Sequence, residues 1–330
     1  MAPPDGDNVD LGALLDLTTP WCLHVLATLG VADHIAAGVT GIDELAAAAG
    51  CDAGALHSVL AHVVGMGVFR EPEPGRFALN QAAEDLRSAA PFLNLYGIGS
   101  RFALAWGSLL AYVRTGRPAY HQVFGRPFWD DLAAHPAIAA EFDALMGPAG
   151  HGVPDYDIDL AGGWDGVRSV VDVGGGTGSL LAELLRRHPD VRGTLLDLPG
   201  TVGRARRSFE RVGVEDRVTT VGQSFFDPLP SGADVYVLKS VLNDWPERET
   251  VAILRRCAEA AAPSGGRIVV LGGVAPDDQP PRLTIEMVLV GGRTNSLAGF
   301  RELVRTVGLE VVAAGVQASG RYVVECRCAP

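Results

Sequence analysis

The residues best placed to do chemistry form a short glycine-rich segment that follows the apolar run SVVDV. The segment starts at Asp172 and carries glycine at Gly174, Gly176 and Gly178. Glycine lets the backbone turn sharply and approach a ligand closely because it has no Cβ. A helix that begins here also presents unpaired N–H groups. A second apolar run ends at Asp197, whose carboxylate can accept hydrogen bonds from both hydroxyls of a ribose. Together these residues predict a site for a cofactor that contains a nucleoside.

The arrangement of the glycines distinguishes between two kinds of cofactor. A dinucleotide site requires G-x-G-x-x-G or G-x-G-x-x-A. Here the last position is Ser179 when the count starts at Gly174, and Leu181 when it starts at Gly176, so this fingerprint is absent. An acid before the glycines, in the form D-x-G-x-G-x-G, is typical of methyltransferases, in which the loop contacts the amino-acid part of the cofactor. The segment therefore predicts a site for S-adenosylmethionine, with Asp197 at the ribose.

The elements that must position this segment are predicted from the rhythm of apolar residues. From about residue 168, short apolar runs alternate with helical stretches, which is typical of a parallel sheet covered on both faces. The last two runs follow each other without a helix, so we expect an antiparallel final pair. The predicted strands are 169–173, 193–198, 218–222, 234–239, 266–272, 309–315 and 321–327, and the predicted helices are 180–187, 202–212, 247–262 and 297–307.

The first part of the chain has a different pattern. Helical spacing of apolar residues covers 11–37, with stops at its glycines, and helices over 41–49 and 53–66 precede two extended runs around a Pro-Glu-Pro-Gly turn. This helix–helix–hairpin order is typical of a winged helix. A second helix that reads DNA carries Arg and Lys, whereas residues 53–66 contain neither. We therefore expect a packing or dimerisation module. Residues 92–150 are predicted to be helical throughout, with an aromatic-rich connection over 124–131.

The composition disfavours several classes of protein. The 330 residues include 27 basic and 39 acidic ones, a formal net charge of −12, so we expect neither nucleic acid nor an anionic membrane surface as a partner. The polar N-terminus does not have the pattern of a signal peptide, and no apolar stretch predicts a membrane span. The five scattered cysteines are typical of free thiols in a reducing cytoplasm, and their spacing predicts no metal site.

The chain from about residue 11 onward resembles the plant-type, caffeate-like O-methyltransferases in their bacterial, secondary-metabolite form. The matching stretches are LGVADHIAAGVTGIDELAAAAG, VVDVGGGTGSLLAELLRRHP, LLDLPG, SFFDPLP, VLKSVLNDWPERETVAILRRC and GRYVVEC. The resemblance implies an α/β Rossmann-like class I methyltransferase domain over residues 156–330 and an all-α, winged-helix dimerisation domain over 1–95. It also implies a helical linker over 96–155 that caps the acceptor pocket. It thus implies a homodimer that methylates a small aromatic or polyketide-like natural product.

The resemblance also assigns residues to the two substrates. Phe142 and Met146 match the F-x-x-x-M that borders the acceptor in such enzymes, and Asn243 and Asn295 are expected on the same side. The residues expected to bind S-adenosylmethionine are Asp172, Gly174, Gly176, Asp197, Leu198, Ser224, Phe225, Lys239 and Trp245.

Three positions depart from the pattern of this family. Its catalytic His-Asp-Trp reads Asn243-Asp244-Trp245, and asparagine cannot accept the proton that histidine takes from a phenol of pKa about 10. Thr294 stands where the family has the glutamate that orients the histidine. Ser224 replaces the acid that contacts the adenine amine, which predicts weaker adenine binding. We assign Asn243, Asp244 and Thr294 to the catalytic position.

Loss of the base together with its orienting acid leaves several explanations open. The acceptor can be an amine, thiolate, enolate or acidic phenol that needs only proximity and alignment, so N- and C-methylation stand beside O-methylation. A borrowed base, Asp244, His151 or His121, can take the proton. The fold can also keep its cofactor and act as a hydroxylase, decarboxylase or pericyclic catalyst, with the sulfonium stabilising negative charge. A metabolite-sensing winged-helix regulator is the alternative from another class.

Overall fold

The computed structural model describes residues 9–146, 158–279, 283–318 and 320–329. The chain forms two compact units, residues 1–103 and 104–330, each of which has its own apolar core. His151, one of the candidate bases, lies outside the described residues.

The first unit consists of short helices and one antiparallel hairpin. The helix–helix–hairpin order predicted from the sequence is confirmed. The helical stretch predicted over 11–37 is broken at Gly30, which has a left-handed φ of 63°, and also at residues 15–17, where no break was expected. The elements are α1 (Leu11–Leu14), α2 (Thr18–Thr28), α3 (Val31–Ala36), α4 (Ile42–Ala49), α5 (Ala53–Gly65), β1 (Arg70–Glu73), β2 (Arg76–Ala78) and α6 (Gln81–Leu93).

Local signals fix the ends of α4 and α5. Gly50 ends α4 with a left-handed φ of 65°, and the Asp52 carboxylate accepts a hydrogen bond of 2.8 Å from the Ala55 N–H at the start of α5.

No single helix among the described residues is long and apolar enough to cross a membrane, and α4 and α5 reach the required length only as a pair bent by 110°. Both helices contribute buried side chains, such as Leu45 and Leu60, to the core of this unit.

Helices continue across the boundary into the second unit. They are α7 (Ile98–Ala105), α8 (Leu109–Thr115), α9 (Tyr120–Phe124), α10 (Phe128–Ala134) and α11 (Pro136–Met146). The prediction of helix over 92–150 is wrong at Gly116, where left-handed backbone ends α8. At Gly125, within the predicted connection, left-handed backbone ends α9, and residues 147–150 lie outside the described residues. Helix α10 lies where the sequence predicted only a connection.

The rest of the second unit alternates strands and helices. The elements are β3 (Ser169–Val173), α12 (Ser179–Arg187), β4 (Arg192–Asp197), α13 (Pro199–Val202), α14 (Arg206–Glu210), β5 (Val218–Gly222), β6 (Val235–Lys239), α15 (Glu247–Ala261), β7 (Arg267–Leu271), β8 (Val274–Ala275), α16 (Ile285–Leu289), β9 (Asn295–Ser296), α17 (Leu297–Arg305), β10 (Leu309–Val316) and β11 (Tyr322–Cys328).

Seven of these strands form one sheet in the order β10-β11-β7-β6-β3-β4-β5. Neighbours from β7 to β5 are parallel, whereas β11 pairs antiparallel with both β7 and β10, which confirms the predicted antiparallel final pair. The helix predicted over 202–212 is wrong, because Pro199 starts α13 early and α14 is a separate short helix. The sequence also missed β8, α16 and β9, which are too short to show a period.

Side chains of the sheet alternate between two apolar layers. Val171 and Val173 pack into the layer covered by α15 and α17, whereas Val170 packs into the layer covered by α12 and α14. Both layers are buried, which is why the central strands are continuously apolar in sequence.

Candidate active site

The predicted cofactor residues lie where the strand order reverses. The chain runs from β3 to β4 and β5 on one side, and then crosses back to β6 on the other side of β3. Ligands of open α/β sheets bind at such a point, outside the carboxyl ends of the strands. The glycine segment follows β3, Asp197 ends β4 and Lys239 ends β6, so all three lie at this edge.

The glycine loop requires glycine for two different reasons. Gly174, Gly176 and Gly178 have left-handed φ values of 68°, 60° and 76°. A Cβ on Gly174 would lie 2.8 Å from Val241 Cγ2, and a Cβ on Gly178 would lie 2.4 Å from the Phe209 ring. A Cβ on Gly176 would meet no atom within 4 Å. The loop is therefore tightly packed on both sides and open at Gly176, where its backbone can approach a ligand.

Asp197 holds this loop in shape. Its Oδ2 accepts a hydrogen bond of 2.8 Å from the Gly176 N–H, and its Oδ1 accepts one of 2.7 Å from the Leu198 N–H. Burial raises the pKa of Asp197, while the hydrogen bonds from Gly176 and Leu198 lower it. A carboxylate offers about four lone-pair sites, so two remain for donors such as ribose hydroxyls. Leu198, the residue after Asp197, is 47% exposed.

Asp172 and Lys239 form a second charged element beneath the loop. Asp172 pairs with Val237 across β3 and β6, and Lys239 is two residues further on, so both side chains are on the same face of the sheet. Asp172 is 1% exposed, and its carboxylate has no side-chain hydrogen-bond partner among the described residues. Burial raises the pKa of Asp172 to about 7, although the charge of Lys239 lowers it. Burial also lowers the pKa of Lys239.

Six members of a larger aromatic cluster, which also contains Tyr120 and Phe124, are here called the aromatic wall. The Trp129 and Trp245 rings stack at 6.1 Å between centroids, Phe142 meets Trp129 edge-on at 5.7 Å, and Phe225 meets Trp245 edge-on at 5.7 Å. The wall thus joins the predicted cofactor residue Phe225 to the predicted acceptor residue Phe142. Its members are Phe128, Trp129, Phe142, Phe225, Phe226 and Trp245.

Ser224 and Met146 are less closely tied to this cluster. The Ser224 Oγ accepts a hydrogen bond of 3.2 Å from the Phe226 N–H and so shapes the turn after β5 that carries Phe225. Met146 is the last residue of α11, one turn beyond Phe142. Both side chains are partly buried.

Asn243 and Asp244 lie in a single 3₁₀ turn, Leu242–Asp244, directly after β6. Asn243 Nδ2 donates a hydrogen bond of 2.8 Å to Asp244 Oδ1, while Asn243 Oδ1 is buried and has no partner among the described residues. Burial and the neighbouring charge of Glu286 raise the pKa of Asp244 to about 8. The turn therefore presents an unused acceptor beside a carboxyl group that titrates close to neutrality.

Two glycine pairs, Gly272-Gly273 and Gly291-Gly292, lie beside this turn, and three of these glycines pack closely against residues 240–244. A Cβ on Gly292 would lie 1.9 Å from the Asn243 carbonyl oxygen, and a Cβ on Gly273 would lie 2.9 Å from its backbone nitrogen. The Asn295 N–H donates to the Gly273 carbonyl at 2.9 Å, which brings β9 beside the turn. Thr294 is exposed, and within the described ranges it makes no side-chain hydrogen bond to Asn243. Thr294 therefore lies between residues that contact the turn but is not itself bonded to Asn243.

Several residues of this site carry no clear signal in the sequence. Trp129 and Phe128 are ordinary aromatic residues of an apparent connection until α10 places them on the wall. Glu286 lies 42 positions after Asp244 on the short helix α16. The glycine pair that contains Gly292 was visible as a motif, but only the structure shows that its function is close packing against Asn243. Among the described residues no group of three His, Cys, Asp or Glu side chains could hold a metal ion.

The sequence profile of the O-methyltransferase domain matches residues 106–310. The chain belongs to this family. A relative from Streptomyces carzinostaticus, 2,7-dihydroxy-5-methyl-1-naphthoate 7-O-methyltransferase, is 43% identical over 315 residues, which are 93% of this chain and 94% of the relative. Aclacinomycin 10-hydroxylase from Streptomyces purpurascens is 41% identical over 286 residues, 82% of this chain and 74% of its own length.

Among solved structures, the O-methyltransferase NcsB1 from neocarzinostatin biosynthesis is similar over 98% of this chain and 99% of its own, with a TM-score of 0.86 and 40% identity. That protein was crystallised with S-adenosylmethionine and 2-hydroxy-5-methyl naphthoic acid. The predicted family and the mixed, Rossmann-like class I sheet are thereby confirmed. The enzyme class is that of S-adenosylmethionine-dependent methyltransferases, as the glycine loop predicted.

Proposed function

We propose that this enzyme methylates a hydroxyl group on a small, planar aromatic natural product without a histidine base. The observation that carries the proposal is the aromatic wall, which continues through Trp245 to within two residues of Asn243. Flat aromatic faces favour flat aromatic ligands. Two buried polar atoms here, Trp129 Nε1 and Asn243 Oδ1, lack partners among the described residues and would suit a ligand with polar substituents. The naphthoate 7-O-methyltransferase at 43% identity supports this substrate class.

The cofactor site fits S-adenosylmethionine by its donors and its free space. The open side of Gly176 and the remaining lone pairs of Asp197 suit a ligand with a ribose. When bound, the cofactor supplies an electrophilic methyl group on a sulfonium. In this proposal the glycine loop faces its amino-acid part and Leu198 and Ser224 face the adenine. Asp172 supports the loop from beneath, and Lys239 balances its buried charge. Phe225 and Trp245 then separate the cofactor from solvent.

Proton removal is assigned to Asp244, with Asn243 as the residue that orients the acceptor. Asn243 Oδ1 can accept a hydrogen bond from the acceptor hydroxyl, but an amide cannot take the proton itself. Asp244 is hydrogen-bonded to Asn243, and a pKa of about 8 suits a general base that works near neutral pH. Of the other candidate bases, His121 is exposed on α9 and His151 lies outside the described residues. Thr294 and Asn295 would border the acceptor next to this turn.

The test compares wild type with Asn243→His. Both proteins are incubated with S-adenosylmethionine labelled in its methyl group and with a hydroxynaphthoic acid. The rate at which labelled product forms is measured at a series of pH values. Histidine at 243 should accept the proton itself, so the pH profile should shift toward the ordinary histidine pKa of about 6.5. Gln122→His, which adds an exposed histidine elsewhere in the second unit, is the matched control. Identical rates and pH profiles for wild type and Asn243→His would show that residue 243 does not face the acceptor.

A second candidate function is catalysis that keeps the cofactor without transferring its methyl group. The observation in its favour is the 41% identity to aclacinomycin 10-hydroxylase. The same labelling experiment decides between the two functions. Labelled product together with S-adenosylhomocysteine supports methylation, whereas a modified product without label, and without S-adenosylhomocysteine, supports the second candidate.

We further propose that residues 1–95 form a homodimer and that residues 96–155 cap the acceptor. Large apolar side chains in the first unit are exposed, among them Leu11 at 63%, Leu14 at 70% and Leu17 at 74%. Exposed apolar groups of this extent favour a protein partner.

Light scattering should give a dimer for wild type and a monomer for a Leu14→Glu, Leu17→Glu double variant. A dimer that persists in the variant would contradict this interface, and DNA binding at low salt would favour the regulator alternative.

A further inference from the structure

An ion pair in the second unit, Arg204–Asp143, joins the proposed acceptor side of the active site to the proposed cofactor side. Arg204 Nε donates a hydrogen bond of 2.8 Å to Asp143 Oδ2, and Arg204 Nη2 donates to the same oxygen. The Asp143 side chain is 14% exposed and the Arg204 side chain is 34% exposed, so the pair is largely shielded from solvent. Neither residue belongs to the sites described above.

The two partners come from elements with different tasks. Asp143 directly follows Phe142 on α11, the helix that contributes Phe142 to the aromatic wall. Arg204 lies between α13 and α14, in the segment that begins at Leu198 beside the carboxylate of Asp197. Helix α11 packs against α13. The ion pair therefore joins α11, which carries Phe142 of the wall, to the segment that follows Asp197.

Electrostatics place the same pair within reach of Asp197. The charge of Asp143 raises the pKa of Asp197, and the charge of Arg204 lowers it. Burial raises the pKa of Asp143 itself, and the hydrogen bond and charge of Arg204 counteract this. Without Arg204, Asp143 would be a buried carboxylate without its cation, and α11 would lose its ion pair with this segment.

We infer that Arg204 is a positioning residue that couples occupation of the cofactor site to the placement of α11. When a ligand orders Asp197 and the segment after it, Arg204 transmits that order to Asp143 and hence to Phe142. Binding of the cofactor thereby prepares the aromatic wall for the acceptor. This inference rests on the proposed cofactor site, and it predicts an effect at α11 that binding alone does not require.

Hydrogen–deuterium exchange with S-adenosylhomocysteine as the probe tests the coupling without knowledge of the acceptor. In wild type, saturating probe should slow exchange in the glycine loop and also in residues 136–146. In Arg204→Met, protection of the loop should remain, while the probe-dependent protection of 136–146 should fall about tenfold, as expected for loss of a hydrogen bond between charged groups. Arg206→Met is the matched control, because Arg206 lies two positions after Arg204 and makes an exposed ion pair with Glu210.

Further variants exclude an unrelated effect of Arg204→Met on folding. Asp143→Ala removes the carboxylate from the other side and should give the same loss, and the double variant should be no worse than either single one. Equal loosening of 136–146 with and without probe would show a purely structural pair and overturn the coupling, as would undiminished protection in Arg204→Met. Absence of any protection in the wild-type glycine loop would instead overturn the cofactor assignment, and the coupling with it.

Discussion

The Asp244→Asn substitution should remove the proton acceptor while it leaves the shape of the site intact. In wild type Asn243 Nδ2 donates to Asp244 Oδ1 at 2.8 Å, and an asparagine at 244 keeps an oxygen that can accept this bond. The new amide cannot take up a proton. A lower rate in this variant would therefore report on proton transfer and not on a displaced turn.

The magnitude follows from the pKa of Asp244, which burial and the charge of Glu286 raise to about 8. With that pKa, roughly one tenth of the carboxyl groups are ionised at pH 7 and roughly nine tenths at pH 9. Because only the carboxylate accepts a proton, kcat of wild type should rise about tenfold over this interval. A positioned general base contributes about 10²- to 10⁴-fold, so Asp244→Asn should lower kcat by that factor at pH 9 and flatten the profile.

The assay measures kcat between about pH 6 and about pH 10 at saturating labelled S-adenosylmethionine. Glu286→Gln is the matched control, because it removes the charge that raises the pKa of Asp244 and keeps the base. Its profile should shift to lower pH with an unchanged plateau. If Asp244→Asn retains the wild-type rate and pH dependence, the acceptor loses its proton without Asp244 and the assignment of the base is wrong.

Three further substitutions probe the surroundings of the two substrates. Gly176→Ala should weaken S-adenosylhomocysteine binding about tenfold in calorimetry, because the new methyl group enters the open side of the loop where the ligand would lie. Gly292→Ala should lower kcat about 10²-fold with little change in cofactor binding, because its Cβ would displace the Asn243 carbonyl 1.9 Å away. Asp172→Asn should raise the melting temperature of the cofactor-free protein more at pH 8 than at pH 5. The folded pKa of about 7 lies above the usual 3.8, so ionisation of Asp172 opposes folding progressively as the pH rises through this interval.

Matched controls make each of these results decisive. Gly213 also has a left-handed φ, 67°, and open space at its Cβ, so Gly213→Ala should reproduce the strain of Gly176→Ala without its effect on binding. Gly315→Ala adds a methyl group where no atom lies within 4 Å and should leave kcat unchanged. Equal effects of a variant and its control would contradict the assigned contact. For Asp172→Asn, a stability gain independent of pH would show that the carboxyl does not titrate as described.

The sequence predicted the parts of this molecule that depend on local pattern. Apolar runs gave the seven strands of the main sheet to within about two residues, because buried strands are continuously apolar. The glycine loop after β3 and the carboxylate at the end of β4 were predicted from residue type alone. Boundaries failed where glycine or proline decided them, as at Gly116 and Pro199.

Contacts between distant positions could not be predicted from the sequence. Asp143 and Arg204 are 61 positions apart, and neither shows a pattern that selects the other. Glu286 affects Asp244 only because α16 brings its charge near the turn. Trp129 was an aromatic residue without an assigned role until the packing of α10 placed its ring on Trp245. Such pairings depend on the folded path of the chain and not on periodicity.

The position of β3 in the interior of the sheet has a consequence for synthesis of the protein on the ribosome. Its neighbour β4 follows soon after it, but β6, its partner on the other edge, starts only at Val235. At roughly 5–20 residues per second, the free edge of β3 waits about 3–12 seconds for that partner. An unpaired edge of an apolar strand is a template for aggregation. Among the strands of this sheet that gain two partners, the strand that carries the cofactor loop thus waits longest for its second one, and a pause of translation within residues 174–234 should lower the yield of folded enzyme.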